Sequence, residues 1–240
     1  MSFEILSFAN PNALAAAAAG RWLDILAARD AGRRYSVALS GGRIAHDFFY
    51  EIARNGINRG ISFDGVHFFW ADERCVPPEH PDSNYRMAME LLLKPLEIPE
   101  AQIHRLRGEG DDGAGLRVAV ESLQAVASPN AAGQPILDMV FLGMGEEGHV
   151  ASLFPGESDA TVESPEVYRA VTTPKPPPRR FTLGYPALAA ATEVWMLASG
   201  RGKEGALRES ISPAGATPFG RVLRMRHRTR IFTDIELSLT

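Results

Sequence analysis

Four apolar runs set the architecture of this 240-residue chain: Tyr35–Leu39, Val66–Ala71, Met139–Leu142 and Glu193–Ala198. None alternates apolar with polar residues, so each reads as a strand covered on both faces. Three of them break into glycine-bearing turns: Ser40-Gly41-Gly42, Gly143-Met144-Gly145 and Ser199-Gly200-Arg201-Gly202. The fourth runs into Asp72-Glu73-Arg74. Helical spacing follows the first turn at Ile44, Phe48, Phe49 and Ile52, and the last turn through Leu207. Such repetition implies an α/β chain with a mainly parallel β-sheet flanked by helices on both faces. If the turn-bearing strand ends lie side by side, they form one cleft.

The fainter elements fit this frame. A helix opens at Asn10-Pro11, with Leu14, Ala17, Ala18, Trp22, Ile25 and Leu26 on one stripe, and closes at Gly32. Asp82 or Ser83 caps another helix near Asn84, with Met87, Leu91 and Leu92 on its buried side, ending by Pro95. Leu116–Val126 is helical and Tyr185-Pro186 opens a short alanine-rich helix. Ile103–Leu106, Tyr168–Thr173, the tail of Arg179–Leu183, and Ile231–Thr233 are candidate strands, and Pro174–Pro178 reads as a rigid loop. No composition break or internal repeat divides the chain, so residues 1–240 are expected to form a single domain.

The richest chemistry follows the third run. Gly143, Gly145 and Gly148 frame Glu146 and Glu147, and His149 comes next. Glycines let a backbone turn sharply and approach a ligand. A titratable histidine beside carboxylates on such a turn is a candidate acid–base centre. The glycine spacing also matches a dinucleotide fingerprint, but that motif needs a long helix directly after the turn. Pro155 arrives seven residues after Gly148, leaving two helical turns at most, and no apolar strand ending in an acid follows at the required distance.

Ser40-Gly41-Gly42, between strand and helix, offers free backbone N–H groups suited to an anion such as phosphate, and equally suits a tight loop with no ligand. Asp72, Glu73 and Arg74 stand where open parallel sheets bind ligands, although a solvated loop with an internal ion pair fits them too. Lys203 opens the helix after the last turn, where it can reach a phosphate or simply face solvent. Ser152 sits in an apolar context and reads as a helix-start residue; His104 reads as a satisfied histidine.

Several classes are excluded. One cysteine, Cys75, allows no disulfide within the chain, and no histidine–carboxylate cluster has zinc-ligand spacing, so no metal is expected. There is no Walker-type phosphate loop and no glycine-flanked serine nucleophile. The net charge of −4 recruits neither nucleic acid nor an acidic membrane, and the short arginine run Arg221–Arg230 reads as a solvated face. No apolar stretch is long enough for a bilayer, and Met1–Ile5 lacks a basic leader region, so a cytoplasmic protein is expected. Metal-free acid–base chemistry on a small phosphorylated substrate remains.

At this point the motifs resemble those of a known family. Gly143–Gly156, Gly-Met-Gly-Glu-Glu-Gly-His-Val-Ala-Ser-Leu-Phe-Pro-Gly, is similar to the signature of 6-phosphogluconolactonases, as is Asp72-Glu73-Arg74-Cys75-Val76-Pro77 with Asp82-Ser83-Asn84. Ser40-Gly41-Gly42, Arg180-Phe181-Thr182-Leu183, and Gly200 with Lys203 fall in the family's order, so the resemblance covers nearly the whole chain. It implies a modified Rossmann-like fold, no cofactor, and hydrolysis of 6-phospho-D-glucono-1,5-lactone in the oxidative pentose phosphate pathway. His149 would activate water and Arg74 would stabilise the oxyanion or hold substrate. Asp72 and Glu147 would orient Arg74 or His149, and Ser40, Gly41, Gly42, Arg180 and Lys203 would hold the 6-phosphate. A monomer or weak dimer is expected.

The chain departs from the family at two places. Arg43-Ile44-Ala45 replaces the usual hydroxyl-bearing continuation of the Ser-Gly-Gly turn, so phosphate loses hydroxyl contacts that Arg43 would replace. Glu147 stands where the family has Asp, one methylene longer, which moves the carboxylate by about an ångström. Two rival readings stay open: related sugar-phosphate deaminase or isomerase chemistry, and a non-catalytic sugar-phosphate sensor. Against the first, a deaminase would carry Tyr after Asp-Glu, where this chain has Arg74. Against the second, about 33 residues before the first strand are too few for a DNA-binding helix-turn-helix.

Overall fold

The computed structural model describes residues 2–30 and 32–237; the expected single domain also takes in Met1, Ala31 and residues 238–240, which lie outside the described residues. The described residues form nine strands: β1 Phe3–Ser7, β2 Tyr35–Leu39, β3 Val66–Trp70, β4 Asp72–Arg74, β5 Met139–Gly143, β6 Tyr168–Thr172, β7 Arg179–Leu183, β8 Glu193–Ala198 and β9 Thr229–Thr233. Six form a parallel sheet in the order β1-β9-β8-β5-β2-β3. The mainly parallel sheet expected from the apolar runs is therefore present. A second, antiparallel sheet, β4-β7-β6, was not expected. β1 was not expected either, so the first strand begins at Phe3 and not after about 33 residues. Its five residues pair only with β9, at the far end of the chain.

The helices cover the sheet as their apolar stripes dictate. In α1 (Pro11–Ala28) the Asn10 side chain accepts from Ala13 N–H at 2.9 Å, and proline occupies the first turn. The helix ends at Ala28, before Gly32. It packs on α2 (Arg43–Arg59). Ile44, Phe48, Phe49 and Ile52 of α2 are all buried, as their spacing predicts. Trp22 of α1, with no exposed surface, meets Phe68 and Phe141 edge-on. Further along come α3 (Asn84–Ala88), which continues into a π-helical turn, Met89–Leu93, and α4 (Asp112–Gln124), which starts four residues earlier than predicted. Four shorter or later helices follow: α5 (Asp159–Val162), α6 (Tyr185–Ala190), α7 (Glu204–Ile211) and α8 (Pro218–Arg224). Ile103–Leu106 forms no strand; only a single bridge links Phe68 to Ile103. α5 and α8 were not expected, although the Thr217 cap and Pro218 are ordinary helix-start signals. Among the described residues, no helix is long and apolar enough to cross a membrane.

Two topological features locate the cleft. From β2 the chain steps outward to β3, then returns to β5 on the other side of β2. The loops leaving β2 and β5 thus diverge, opening the crevice that binds ligands in such sheets. The second feature is Ala71. Its N–H donates to Leu39 of the parallel sheet at 2.7 Å, and its carbonyl accepts from Leu183 of β7 at 2.8 Å. One residue therefore hands the chain from one sheet to the other.

Candidate active site

The cleft at this crossing is lined by Ser40–Ile44, Asp72, Arg74, Asn84, Gly143–Gly145, His149, Ala151, Arg180 and Lys203, and encloses about 520 Å³ including its mouth. Of the residues given a catalytic or phosphate-holding role, it brings together all except Glu147, which stands directly behind His149.

The turn after β5 fixes His149. Gly145 N–H donates to the His149 carbonyl at 2.9 Å, and Met144 bridges to Val150. No helix follows; Ala151 adopts a left-handed φ of 48° and the chain bends through Leu153. The imidazole stacks on Phe154 with ring centroids 4.4 Å apart. Its Nδ1 lies 3.2 Å from Glu147 Oε1, without hydrogen-bond geometry. A Cβ on Gly145 would stand 2.0 Å from that nitrogen, so glycine is required for the ring to lie where it does. Burial lowers the His149 pKa and Lys175 adds to the effect, while Glu147 and Asp72 oppose it. The ring is held neutral near pH 7, the state a general base needs. Glu147 is itself pulled below the usual carboxylate range: burial raises it, but Lys175 and His149 outweigh that.

Asp72-Glu73-Arg74 is a strand and not the charged loop suggested by its composition. Register sets Asp72 opposite Thr182 and Arg74 opposite Arg180, so both guanidinium groups enter the cleft from one face. Arg74 Nη1 donates to the Asp82 carbonyl at 2.6 Å. Asp72 orients neither Arg74 nor His149 by hydrogen bonding: it accepts from Ser152 Oγ at 2.7 Å, and its carbonyl accepts from Asn84 Nδ2 at 2.9 Å. Ser152 is thus a buried polar link and not a helix start; its own N–H donates to Thr182 at 3.2 Å. Glu73, singled out with its neighbours but given no role, organises the floor of the site. The carboxylate accepts from the N–H groups of Arg74, Asn84 and Tyr85 and from Ser83 Oγ, all within 3.0 Å. Burial pushes its carboxyl up to about 7 against those backbone donors. Ser83 caps α3, as the sequence suggested, and Asn84 next to it fills the space a Cβ on Gly41 would need.

The opposite end of the cleft is cationic. Gly42, at φ 109°, precedes the first turn of α2, where Arg43 stands. Lys203 approaches from the turn after β8, and burial together with Arg43 lowers its pKa. Two cations beside free backbone N–H groups make a pocket for a polyanion. Arg180 is placed differently. Nε donates to the Pro177 carbonyl at 3.0 Å, Nη2 to the Lys175 carbonyl at 3.2 Å, and Nη1 reaches Ser152 Oγ at 3.5 Å. Much of its donor set is therefore taken by the protein itself. Glu73 and Asn84 stand inside the motif quoted above but carried no role there, and the signal for Ser152 is weak because its partner Asp72 lies 80 residues away.

A parallel sheet with a neutral histidine, a guanidinium and a cationic pocket at its switch point defines an α/β protein built for acid–base work on a small phosphorylated ligand. The family model described as glucosamine-6-phosphate isomerases/6-phosphogluconolactonase matches residues 9–232, and the chain belongs to that family. A 6-phosphogluconolactonase of Mycobacterium tuberculosis is 38% identical over 224 residues, spanning 91% of this chain and 89% of the relative. The solved 6-phosphogluconolactonase of Trypanosoma brucei is 28% identical with a TM-score of 0.84, covering 96% of this chain and 95% of that one. The Trypanosoma cruzi 6-phosphogluconolactonase superposes with a TM-score of 0.86 at 27% identity, over 100% and 98% of the two chains.

Proposed function

We propose that this protein hydrolyses 6-phospho-D-glucono-1,5-lactone to 6-phospho-D-gluconate, the second step of the oxidative pentose phosphate pathway. The observation that carries the reading is that the His149 imidazole, the Arg74 guanidinium and the Arg43–Lys203 pair share one cleft. With Nδ1 facing Glu147, Nε2 is the nitrogen available to water. Nε2 takes a proton from water as its oxygen bonds to the lactone carbonyl carbon. Negative charge collects on the carbonyl oxygen, where Arg74 stabilises it. The intermediate collapses by breaking the bond from that carbon to the ring oxygen, which receives the proton from His149. The carboxylic acid so formed loses its proton to solvent, and the carboxylate and freed hydroxyl leave as one product, with the phosphate held at the Arg43–Lys203 end throughout.

The pH dependence has a definite sign. A base must be unprotonated, and burial lowers the His149 pKa, so kcat/KM falls on acidification with an acid limb below pH 6.5. His149→Asn tests the assignment with freshly made lactone, corrected for spontaneous hydrolysis: turnover collapses while lactone binding persists. Unchanged kcat in that variant, or ammonia release from glucosamine 6-phosphate by the wild type at a comparable rate, overturns it. Further parts of the same reading are a single domain over residues 1–240, supported by one continuous buried core, a cytoplasmic location, no nucleic-acid partner, and a monomer or weak dimer.

A further inference from the structure

Lys175 lies outside the cleft lining, in the proline-rich segment joining β6 to β7, and the sequence gives it no chemical role. Its Nζ stands 2.6 Å from Glu147 Oε1, the same oxygen that lies 3.2 Å from His149 Nδ1. The three groups form a line from solvent inward: the Lys175 side chain is 47% exposed, Glu147 34% and His149 18%. The base of the line is fixed. The Lys175 carbonyl accepts from Arg180 Nη2 at 3.2 Å and from Thr173 Oγ1 at 3.1 Å, and Arg180 Nε fastens the Pro177 carbonyl. Pro176, Pro177 and Pro178 further restrict the backbone. An arginine of the cleft thus anchors the segment that presents the ammonium.

Glu147 needs such a hold. It sits on a turn, its side chain a third exposed. Nδ1 of His149 has no hydrogen bond to fix the ring. The orientation of the imidazole therefore depends on where the neighbouring carboxylate is kept. We propose that Lys175 is a positioning residue for the reaction at His149: its ammonium holds Glu147 against the Nδ1 edge of the ring, so that Nε2 is presented to water. The inference rests on the lactone-hydrolysis reading for its kinetic consequence, but not for its effect on the ring.

Three charged groups face His149: Glu147 from its own turn, Lys175 from the β6–β7 segment, and Asp72 from β4. The two carboxylates favour the imidazolium and the ammonium disfavours it. Removing the ammonium while Glu147 remains therefore raises the pH at which His149 protonates. Lys175→Met and Lys175→Arg are compared with wild type by NMR titration of the His149 imidazole without substrate, and by steady-state lactone hydrolysis across pH. In Lys175→Met the imidazole titrates at higher pH, the acid limb of kcat moves the same way, and kcat falls about tenfold with KM within about twofold. Lys175→Arg restores all three. In a Glu147→Gln background the Lys175→Met substitution changes kcat by less than about twofold, because nothing remains for the ammonium to hold.

An unchanged imidazole titration overturns the proposal. So does a rise in KM at constant kcat, which would make Lys175 a substrate contact, or an equally large kcat loss in the Glu147→Gln background. Failure of the wild type to hydrolyse the lactone would remove the proposed reaction alone, since the titration still decides whether Lys175 acts on the ring.

Discussion

Gly145→Ala tests how tightly this active site is drawn around one ring. The φ of Gly145 is not positive, so alanine adopts the same backbone without strain. What changes is the space. The new Cβ would lie 2.0 Å from His149 Nδ1, 2.1 Å from Cε1 and 2.8 Å from Glu147 Oε2. Ordinary contact needs about 3.5 Å, so the ring must retreat by about 1.5 Å. The backbone cannot supply that movement cheaply, because the Gly145 N–H to His149 carbonyl bond and the Gly148 N–H to Gly145 carbonyl bond close the turn. The imidazole must therefore leave its stack on Phe154. A displacement of 1 Å can cost about 100-fold in rate, so kcat falls by at least about 100-fold, or about 2.7 kcal/mol of transition-state stabilisation.

Stability moves little, because a compatible Gly→Ala change gains about 0.4–1 kcal/mol from the unfolded chain, offsetting part of the local repacking. The proposed phosphate grip, at the Arg43–Lys203 end, is elsewhere, so KM stays within about threefold of wild type, in keeping with an interaction made in the transition state. The assay is initial-rate hydrolysis of fresh lactone, with thermal unfolding followed on the same samples. Gly110→Ala is the control, since a Cβ there meets nothing within 4 Å. A folded Gly145→Ala enzyme retaining kcat within about threefold would refute the claim that His149 must occupy this place to act.

Two other substitutions probe the ends of the cleft. Lys203→Gln removes a partly buried cation from the anion pocket and raises KM about 10- to 100-fold with kcat nearly unchanged, the size of a charge-assisted hydrogen bond lost equally from ground and transition states; a kcat effect without a KM effect would place Lys203 at the reacting carbon instead. Glu73→Gln turns an amide N–H toward donors that now point at a carboxylate oxygen, costing about 2 kcal/mol of stability, and thermal unfolding should show Tm lower by about 4–8 °C. An unchanged Tm would mean that Glu73 does not organise the Arg74–Asn84–Tyr85 floor.

The parts of this protein legible in its sequence are those fixed by local chemistry. Strands β2, β3, β5 and β8 are apolar runs because both faces are covered, and the turns after β2 and β5 carry glycine because Asn84 and His149 occupy the space a Cβ would take. Arg43 and Lys203 stand at helix starts after glycine turns, where a cation can meet a phosphate or simply face solvent, so local pattern alone left Lys203 open between the two. The second sheet was hidden for the opposite reason. Asp72-Glu73-Arg74 has no strand propensity of its own, and it is extended only because β7 lies beside it, more than 100 residues later. Ser152 looked like a helix start because its partner Asp72 is 80 residues away. What local pattern conceals is therefore the same thing that makes the site work. Ala71 hydrogen-bonds to both sheets, and Tyr168 Oη of β6 donates to the Trp70 carbonyl of β3 at 2.8 Å. The parallel sheet supplies the anion pocket and the histidine turn, and the antiparallel one supplies Arg74 and the Arg180-anchored segment that reaches Glu147. In the proposed reaction, a substrate gripped by its charged end at one sheet is held at a fixed distance from the guanidinium of the other. A site confined to one sheet would have been easier to read and, in the proposed reaction, would leave the carbonyl oxygen without Arg74.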